Sequence, residues 1–177
     1  MKKYLPYIAC LLLILTACSP TALGPRNTTT EQTTTSTPTE TTAPSPDVCT
    51  LIVSCETVLD NLPALDADKH ELIPADGVLF DAQEALQPGD TVYDVFRRAL
   101  MRERFHFEVA TVAGTIYVAG IGNLYEFDCG GTSGWLYRVN GVFQSVSCNQ
   151  VRVAPGDLLE FVYTCDLGRD VGSDFDE

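Results

Sequence analysis

The sequence predicts the α+β fold class, with one main helix packed across a mixed β-sheet and a disordered tether before it. Residues 91–104 are the one segment with a clear 3.6-residue apolar period, as in an amphipathic helix. Residues 107–164 contain a succession of strand-like segments separated by turn signals. Apolar runs open and close this part of the chain, at residues 49–55 and 158–164. We therefore expect one folded domain over residues 48–172 and an acidic tail at 173–177.

The domain is predicted to open with a strand at residues 49–55, which are rich in β-branched side chains. Residues 57–70 carry apolar side chains interrupted by Pro63, and we interpret them as a short helix or an irregular loop. Residues 74–77 indicate a turn, and residues 78–86 then predict a second strand.

The main helix is predicted to begin at Thr91. Thr91 and Asp94 have the spacing of a capping box, although Asp replaces the preferred Glu or Gln. Arginines lie mostly off the apolar side, and we interpret them as a solvated helix face, with a docking patch as the alternative. The predicted buried face consists of Val92, Val95, Phe96, Ala99 and Leu100.

The rest of the domain is predicted to be β-structure. Its strongest local signal is Asn140-Gly141 between two segments of β-formers, because a two-residue hairpin turn requires the positive φ values that Asn and Gly adopt. The acidic residues 166–177 are expected to be frayed. The predicted strands are residues 107–112, 115–121, 124–127, 134–139, 142–145 and 158–164.

The first and last predicted strands, residues 49–55 and 158–164, are both apolar runs, which suit strands covered on both faces. We therefore place them side by side in the middle of the sheet, with the main helix across it. This is a β-grasp-like arrangement.

The first 17 residues have the features of a lipoprotein signal peptide. Lys2 and Lys3 precede an apolar stretch, residues 8–14, that is shorter than a membrane span. Small residues then lead to Cys18, as in the bacterial lipobox, where the cysteine becomes the lipidated first residue of the mature protein. The alternative is an uncleaved anchor in which Cys18 is an ordinary thiol. The first interpretation predicts a protein tied by acyl chains to the extracytoplasmic face of the cell membrane.

Residues 18–47 contain the cysteine to be lipidated and a Thr/Pro-rich linker with almost no residue able to seed a core. We expect this linker to be disordered and to hold the domain away from the membrane. The formal net charge of the chain is −13. Such a charge repels phosphate backbones, so nucleic acid is excluded as a partner.

Cysteine usage agrees with export, because disulfides persist outside the cytoplasm. Cys49 and four further cysteines fall in the domain, and this odd number leaves one thiol free or paired between molecules. The favoured disulfides are Cys129 with Cys148, across the predicted hairpin, and Cys55 with Cys165, at the ends of neighbouring strands. No two of these cysteines have CxxC spacing, so a metal site is not indicated.

Three segments carry a family resemblance: GIGNLYEFDC at residues 120–129, SGWLYRVNG at 133–141 and YTCDLGRDVG at 163–172. They resemble a bacterial surface domain, the domain of unknown function 4430 family, that is similar to the C-terminal domain of transcobalamin. The resemblance implies a β-grasp-like fold and an exported protein of a Gram-positive bacterium. In the cobalamin carriers, the similar domain closes over one face of the corrinoid, and a helical barrel holds the other. The chain has no counterpart of that barrel, so the resemblance implies half of a carrier's site.

The sequence does not indicate an arrangement for catalysis. Ser133 has no histidine near it in sequence, and Glu126 and Asp128 are two acids at alternate positions in a very acidic chain. The acidic tail lacks the order of ligands in a calcium-binding loop. We therefore expect a protein that is not an enzyme and has no cofactor and no metal.

Aromatic residues gather around the predicted hairpin: Tyr125, Trp135, Tyr137 and Phe143, with Asn140 at its tip. Aromatic rings stack on flat ligands or sugars, so these five residues are the candidate ligand-binding residues. Strand alternation puts Trp135 and Tyr137 on the same face. If that face packs on the helix, the two rings belong to the core.

The sequence thus supports a surface lipoprotein whose domain binds a small-molecule ligand. A corrinoid is the candidate, with a surface protein as a partner that supplies the other half of the site. The alternative is a cell-surface adhesion or envelope-interaction module, which docks a protein or glycan through the hairpin or the sheet edge and has no small-molecule ligand. A surface hydrolase is a third hypothesis, and it predicts turnover that falls when Asp128 or Ser133 is changed to Ala.

Overall fold

The computed structural model describes residues 47–173. The predicted signal peptide, the lipidation site Cys18 and all of the linker before Asp47 lie outside the described residues, as do residues 174–177. Within the described part, no helix combines the length and the apolar character that crossing a bilayer requires.

The main sheet is mixed and has five strands in the order β2-β1-β8-β6-β7. The first and last strands lie side by side and parallel, whereas every other pair in this sheet is antiparallel. This confirms the predicted α+β class and its β-grasp-like centre. The five strands are β1 (Val48–Ser54), β2 (Val78–Ala85), β6 (Gly134–Val139), β7 (Val142–Phe143) and β8 (Leu158–Thr164).

A second, three-stranded sheet corrects the prediction of a single sheet. It consists of β3 (Phe107–Val112), β4 (Thr115–Ile121) and β5 (Leu124–Tyr125), in that order. The strands β5 and β6 are separated by a loop in which Phe127 and Gly130 have positive φ values of 67° and 100°. These left-handed residues turn the chain away from the second sheet, so that β6 pairs with β8.

The main helix, α2 (Val92–Arg102), begins with the predicted capping box, in which Thr91 and Asp94 each bind the backbone N–H of the other. Its predicted apolar face is completely buried. Phe96 on that face lies 4.3 Å from the ring of Phe161 in β8 and 5.2 Å from that of Phe107 in β3 (centroid distances). The helix therefore closes the core against both sheets.

The segment after β1 is helical. A short helix was one of the two interpretations of residues 57–70, and an irregular loop was the other. It forms a short helix, α1 (Glu56–Asp60), followed by two 3₁₀ turns, Leu62–Ala64 and Ala67–Leu72. Val58 is the residue of α1 that enters the core.

The predicted hairpin turn is present. Asn140 and Gly141 have φ values of 52° and 78°, as a two-residue turn requires. The Asn140 amide also donates to the Asp157 carboxylate (2.9 Å) and accepts from the N–H of Leu158 (2.9 Å). Asn140 thereby fixes the turn to the start of β8.

Residues after β8 are ordered up to Ser173, so the expected fraying of 166–177 is wrong for the described part. The Asp170 carboxylate accepts hydrogen bonds from the Thr164 hydroxyl and from the N–H of Cys165, the latter at 2.7 Å. A 3₁₀ turn, Arg169–Val171, follows between two glycines with positive φ values. Local capping thus overrides the polar, glycine-containing composition of this segment.

Candidate functional site

Two small cavities lie on either side of Tyr117, Trp135 and Leu136, between β4 of the second sheet and β6 of the main sheet. Their volumes are about 200 and 220 Å³. We call the two together the aromatic groove. Its walls are formed chiefly by Tyr117, Phe127, Trp135, Tyr137, Val146 and Leu167.

The rim of the aromatic groove is unusually apolar for a surface. Tyr117 is 45% exposed and Phe127 is 62% exposed, and the side chains of Val146 and Leu167 are also exposed. Scattered exposed apolar residues are ordinary, whereas a contiguous group beside a cavity is typical of a binding site. Tyr117 borders both cavities, Val146 borders the first, and Phe127 and Leu167 border the second.

The groove lies at an incompletely paired strand edge. The strand β6 pairs with β8 along its whole length, but with β7 only through Arg138 and Val139. Residues 134–137 therefore form an edge of the main sheet beside β4. The strands β4 and β6 belong to different sheets and do not pair with each other. The gap between the two sheets at this edge is the aromatic groove.

Trp135, a predicted ligand-binding residue, is mainly a core residue and is only 7% exposed. Its indole N–H donates to the Leu124 carbonyl (2.9 Å), and its ring packs edge-on against Tyr163 with centroids 5.1 Å apart. Only part of Trp135 contributes to the wall of the groove. Strand alternation alone left open whether Trp135 faces a ligand or packs in the core, and in the structure it packs in the core.

Tyr137 lies on the same face as Trp135, as alternation predicts. It is half-buried, stacks on Phe161 with centroids 5.8 Å apart, and donates its hydroxyl hydrogen to the Val146 carbonyl (2.7 Å). That bond holds the segment carrying Val146 over the groove.

The structure does not bring the other predicted residues to the groove. The Tyr125 ring packs on Gly120, and its hydroxyl lies 2.9 Å from Nε2 of His106. Phe143 lies beside the guanidinium of Arg138, 5.5 Å from ring centroid to guanidinium carbon. Asn140 belongs to the hairpin turn described above. Of the five predicted residues, the groove therefore contains Trp135 and Tyr137.

Sequence reasoning missed Tyr117, Phe127 and Leu167. Tyr117 carried a usable signal, because it occupies an exposed position in the alternating pattern of β4, where a polar residue is usual. Phe127 and Leu167 are exposed residues in loops, with positive φ values of 67° and 49°. Periodicity does not reveal loop positions of this kind.

The titratable groups in the groove wall stay neutral near pH 7. Burial and a hydrogen bond to Glu126 raise the pKa of Tyr117 to about 12. Burial raises the pKa of Cys148 to about 11 and that of Tyr137 well above its usual range. The groove thus presents aromatic and apolar surface with uncharged polar groups, which suits contact with a flat or apolar ligand.

The residues weighed for catalysis have structural partners. Ser133 is buried, donates to the Gly130 carbonyl (2.8 Å) and accepts from the N–H of Cys129 (3.0 Å). Asp128 pairs with Lys69 (2.6 Å) and accepts from the N–H of Tyr125 (2.7 Å). Among residues 47–173, no group of three His, Cys, Asp or Glu side chains is placed to hold a metal ion.

The predicted disulfides are absent from the structure: the five cysteines of the described residues are free thiols. Cys148 lines the aromatic groove, and Cys55 is buried next to Asp76 and Glu56. The sulfur that contacts Cys165 belongs to Cys129. Both predicted pairings, Cys129 with Cys148 and Cys55 with Cys165, therefore differ from the contacts in the folded chain.

One family model matches part of the domain. Residues 89–164 match a family described as a domain of unknown function, DUF4430. The match runs from the turn before α2 to the end of β8 and confirms the family indicated by the three sequence segments.

The similar solved structures include two that differ in size from one another. Haptocorrin in complex with Cbi has a TM-score of 0.48 and 14% sequence identity, over 70% of this chain and 26% of that chain. A candidate metal binding protein from Ruminococcus gnavus has a TM-score of 0.41 and 12% identity, over 67% of this chain and 96% of that chain. The chain thus spans about a quarter of the haptocorrin chain. No curated protein sequence matches the chain.

Proposed function

We propose that this DUF4430 domain, matched at residues 89–164, binds a small molecule with a flat or apolar face in the aromatic groove. The observation that carries the proposal is the rim of exposed Tyr117, Phe127, Val146 and Leu167 around two adjoining cavities. Removing such surface from water on binding a ligand contributes about 25 cal/mol per Å². A corrinoid is the ligand class that the transcobalamin-like sequence segments suggest first, and haptocorrin, a structural neighbour, carries Cbi.

The dimensions of the groove favour partial contact with such a ligand. Each cavity, at about 200 or 220 Å³, is smaller than the roughly 300–1,000 Å³ of typical small-molecule pockets. The groove would therefore contact one edge or face of a large ring system. The remaining surface of the ligand would be covered by a partner protein on the cell surface.

We further propose that Cys18 is lipidated and that the domain acts at the extracytoplasmic face of the cell membrane. Two acyl chains suffice for stable anchoring. The Cys18→Ser variant tests this, because it should move the protein from the membrane fraction to the soluble fraction. Retention of that variant in the membrane fraction would contradict the proposed anchor.

Calorimetric titration of the full chain in detergent with cobalamin and with cobinamide tests the ligand. Tyr117→Ala should weaken binding about tenfold, since an aromatic contact contributes roughly 0.5–1.5 kcal/mol beyond area burial. Val112→Ala is a matched control, because Val112 is exposed on β3 and does not line the groove. Absence of binding at millimolar ligand, alone and with neighbouring surface proteins, would exclude the corrinoid. Equal binding by the Tyr117→Ala and wild-type proteins would place the site elsewhere.

An envelope protein-interaction module is the second candidate, and the edge of β6 favours it. Among the described residues, 134–137 have no ladder partner on the side facing β4, although the Tyr137 carbonyl already accepts from the N–H of Gln144 (3.3 Å). Such edges bind extended peptides by adding a strand. Hydrogen exchange distinguishes the two functions. A peptide partner should slow exchange along residues 134–137, whereas a small molecule in the groove should protect mainly residues near Tyr117.

A further inference from the structure

Cys129 and Cys165 meet at one end of the main sheet, beside α1. The Cys129 sulfur lies 3.6 Å from the Asn61 carbonyl oxygen, and the Cys165 sulfur lies 3.8 Å from Oγ1 of Thr57. Thr57 and Asn61 are one helical turn apart, and the Asn61 amide donates to the Thr57 carbonyl (2.8 Å). The two sulfurs thus contact residues one turn apart at α1, and the Cys165 thiol is hydrogen-bonded to Cys129.

The backbone holds the two cysteines in this position. The Thr132 hydroxyl donates to the Cys165 carbonyl (2.8 Å), and the N–H of Leu167 donates to the Thr132 carbonyl (3.0 Å). The N–H of Cys129 is bound by the hydroxyl of Ser133 (3.0 Å). The turn that carries Cys129 is thereby fixed to the end of β8, where Cys165 follows Thr164.

We propose that Cys129 and Cys165 form an intramolecular disulfide when the folded protein meets a low-molecular-weight disulfide oxidant. The bond joins the two Sγ atoms and closes the end of the main sheet covalently. Nothing in the sequence spacing indicates this pair, because the two residues become neighbours only through the pairing of β6 with β8.

The reaction is two successive thiol–disulfide exchanges. Cys165 is half-buried and Cys129 is only 4% exposed, so Cys165 reacts first. Its thiolate attacks one sulfur of oxidised glutathione, forming a mixed disulfide and releasing one glutathione thiolate. The Cys129 thiolate then attacks the Cys165 sulfur and releases the second glutathione. The two cysteines lose two protons and two electrons, and the oxidant becomes two thiols.

The remaining cysteines of the domain are expected to stay reduced. Cys49, Cys55 and Cys148 are at most 2% exposed, whereas Cys165 is half-buried. A thiol that the oxidant cannot reach does not react with it. One bridge and three thiols thus account for the odd number of cysteines in the domain.

Peptide mapping of the folded full chain after incubation with oxidised glutathione tests the pairing. Trypsin cleaves after Lys and Arg, so each candidate partner falls in a different peptide except for Cys49 and Cys55. Cys129, Cys148, Cys165 and the Cys49/Cys55 pair lie in residues 105–138, 139–152, 153–169 and 27–69, respectively. We expect a species with the mass of peptides 105–138 and 153–169 joined, and it should separate into the two peptides on reduction. A link between any other two of these peptides, or thiols at both positions, would overturn the proposal.

Variants establish the order of the two exchanges. In Cys129→Ser, the linked peptide should be lost completely, and glutathione should remain on Cys165. In Cys165→Ser, the linked peptide should also be lost, while Cys129 stays a thiol because it is buried. Cys148→Ser is the matched control and should retain the link. Loss of the link in Cys148→Ser but not in Cys129→Ser would refute the assignment even if one of the variants were poorly folded.

Discussion

The Asp90 carboxylate accepts two hydrogen bonds from the Arg98 guanidinium, 3.1 Å from Nη1 and 2.6 Å from Nη2, although Asp90 is only 7% exposed. The pair joins the turn before α2 to the second turn of the helix. Arg98 also donates to the Ala85 carbonyl at the end of β2 (3.0 Å), and Asp90 accepts from the N–H of Gln87 (2.8 Å). Two side chains therefore connect β2, the turn and α2.

Arg98→Ala is expected to lower the free energy of unfolding by about 1.5–3 kcal/mol, because it leaves a buried carboxylate without its charged partner. Urea denaturation followed by circular dichroism measures the change. Arg97→Ala is the matched control, since Arg97 lies on the exposed side of the same helix. Equal stability of the two variants would show that the Asp90–Arg98 pair contributes nothing measurable.

Acid is expected to destabilise the domain through Asp90 and Asp94. The hydrogen bond from Arg98 holds the pKa of Asp90 below its usual value, and bonds from Thr91 do the same for Asp94. A pKa that is lower in the folded state favours folding wherever the carboxyl is ionised. This stabilisation is complete above about pH 4, the usual pKa of Asp, and is lost as the pH falls through the folded-state pKa values. Urea midpoints measured from pH 7 down to pH 2.5 should decrease mainly below pH 4, and less steeply in Asp90→Asn.

Gly120→Ala should destabilise the second sheet. A Cβ at residue 120 would lie 2.4 Å from Cδ1 of Tyr125, so this ring, whose hydroxyl lies 2.9 Å from Nε2 of His106, must shift. Overpacking of this kind costs typically about 1–3 kcal/mol. Gly131→Ala provides the comparison, because its Cβ would meet no atom within 4 Å. Thermal unfolding of the two variants side by side tests the prediction, and an unchanged Gly120→Ala midpoint would contradict it.

Replacing Trp135 should mainly affect stability, whereas replacing Tyr117 should mainly affect ligand binding. Trp135→Ala deletes a buried ring and is expected to cost about 3–5 kcal/mol of stability. Tyr117→Ala removes a half-exposed ring and should cost less than about 1 kcal/mol, while weakening ligand binding. Denaturant titrations monitored by circular dichroism measure both. A Tyr117→Ala variant as unstable as Trp135→Ala would mean that the groove rim belongs to the core.

Local signals in the sequence predicted local structure well. Two features depend only on interactions within four residues and can therefore be predicted directly from the sequence. They are the capping box of Thr91 and Asp94 and the positive φ values of Asn140-Gly141. Segments whose side chains alternate between apolar and polar, or are apolar throughout, were also correctly predicted to be strands. Even the central pairing of β1 with β8 was predicted, because both are apolar enough to be covered on two faces.

Relationships that depend on loop paths were not predictable in this way. The left-handed Phe127 and Gly130 separate β5 from β6, and no pattern in the sequence marks Phe127 as left-handed. That turn ends the second sheet at β5 and places Cys129 beside Cys165. The candidate site was therefore found in part, through Trp135 and Tyr137, while its exposed rim was not.

The parallel contact of β1 with β8 also determines when the domain can fold. The Thr57 hydroxyl donates to the Tyr163 carbonyl (2.7 Å) across 106 positions of sequence, and the two central strands are equally distant. A topology dominated by such remote pairings folds slowly, because chain entropy is lost before the contacts form. Synthesis must therefore reach the end of β8 before the centre of the sheet can close, so β1 has no parallel partner until nearly the whole domain has been made.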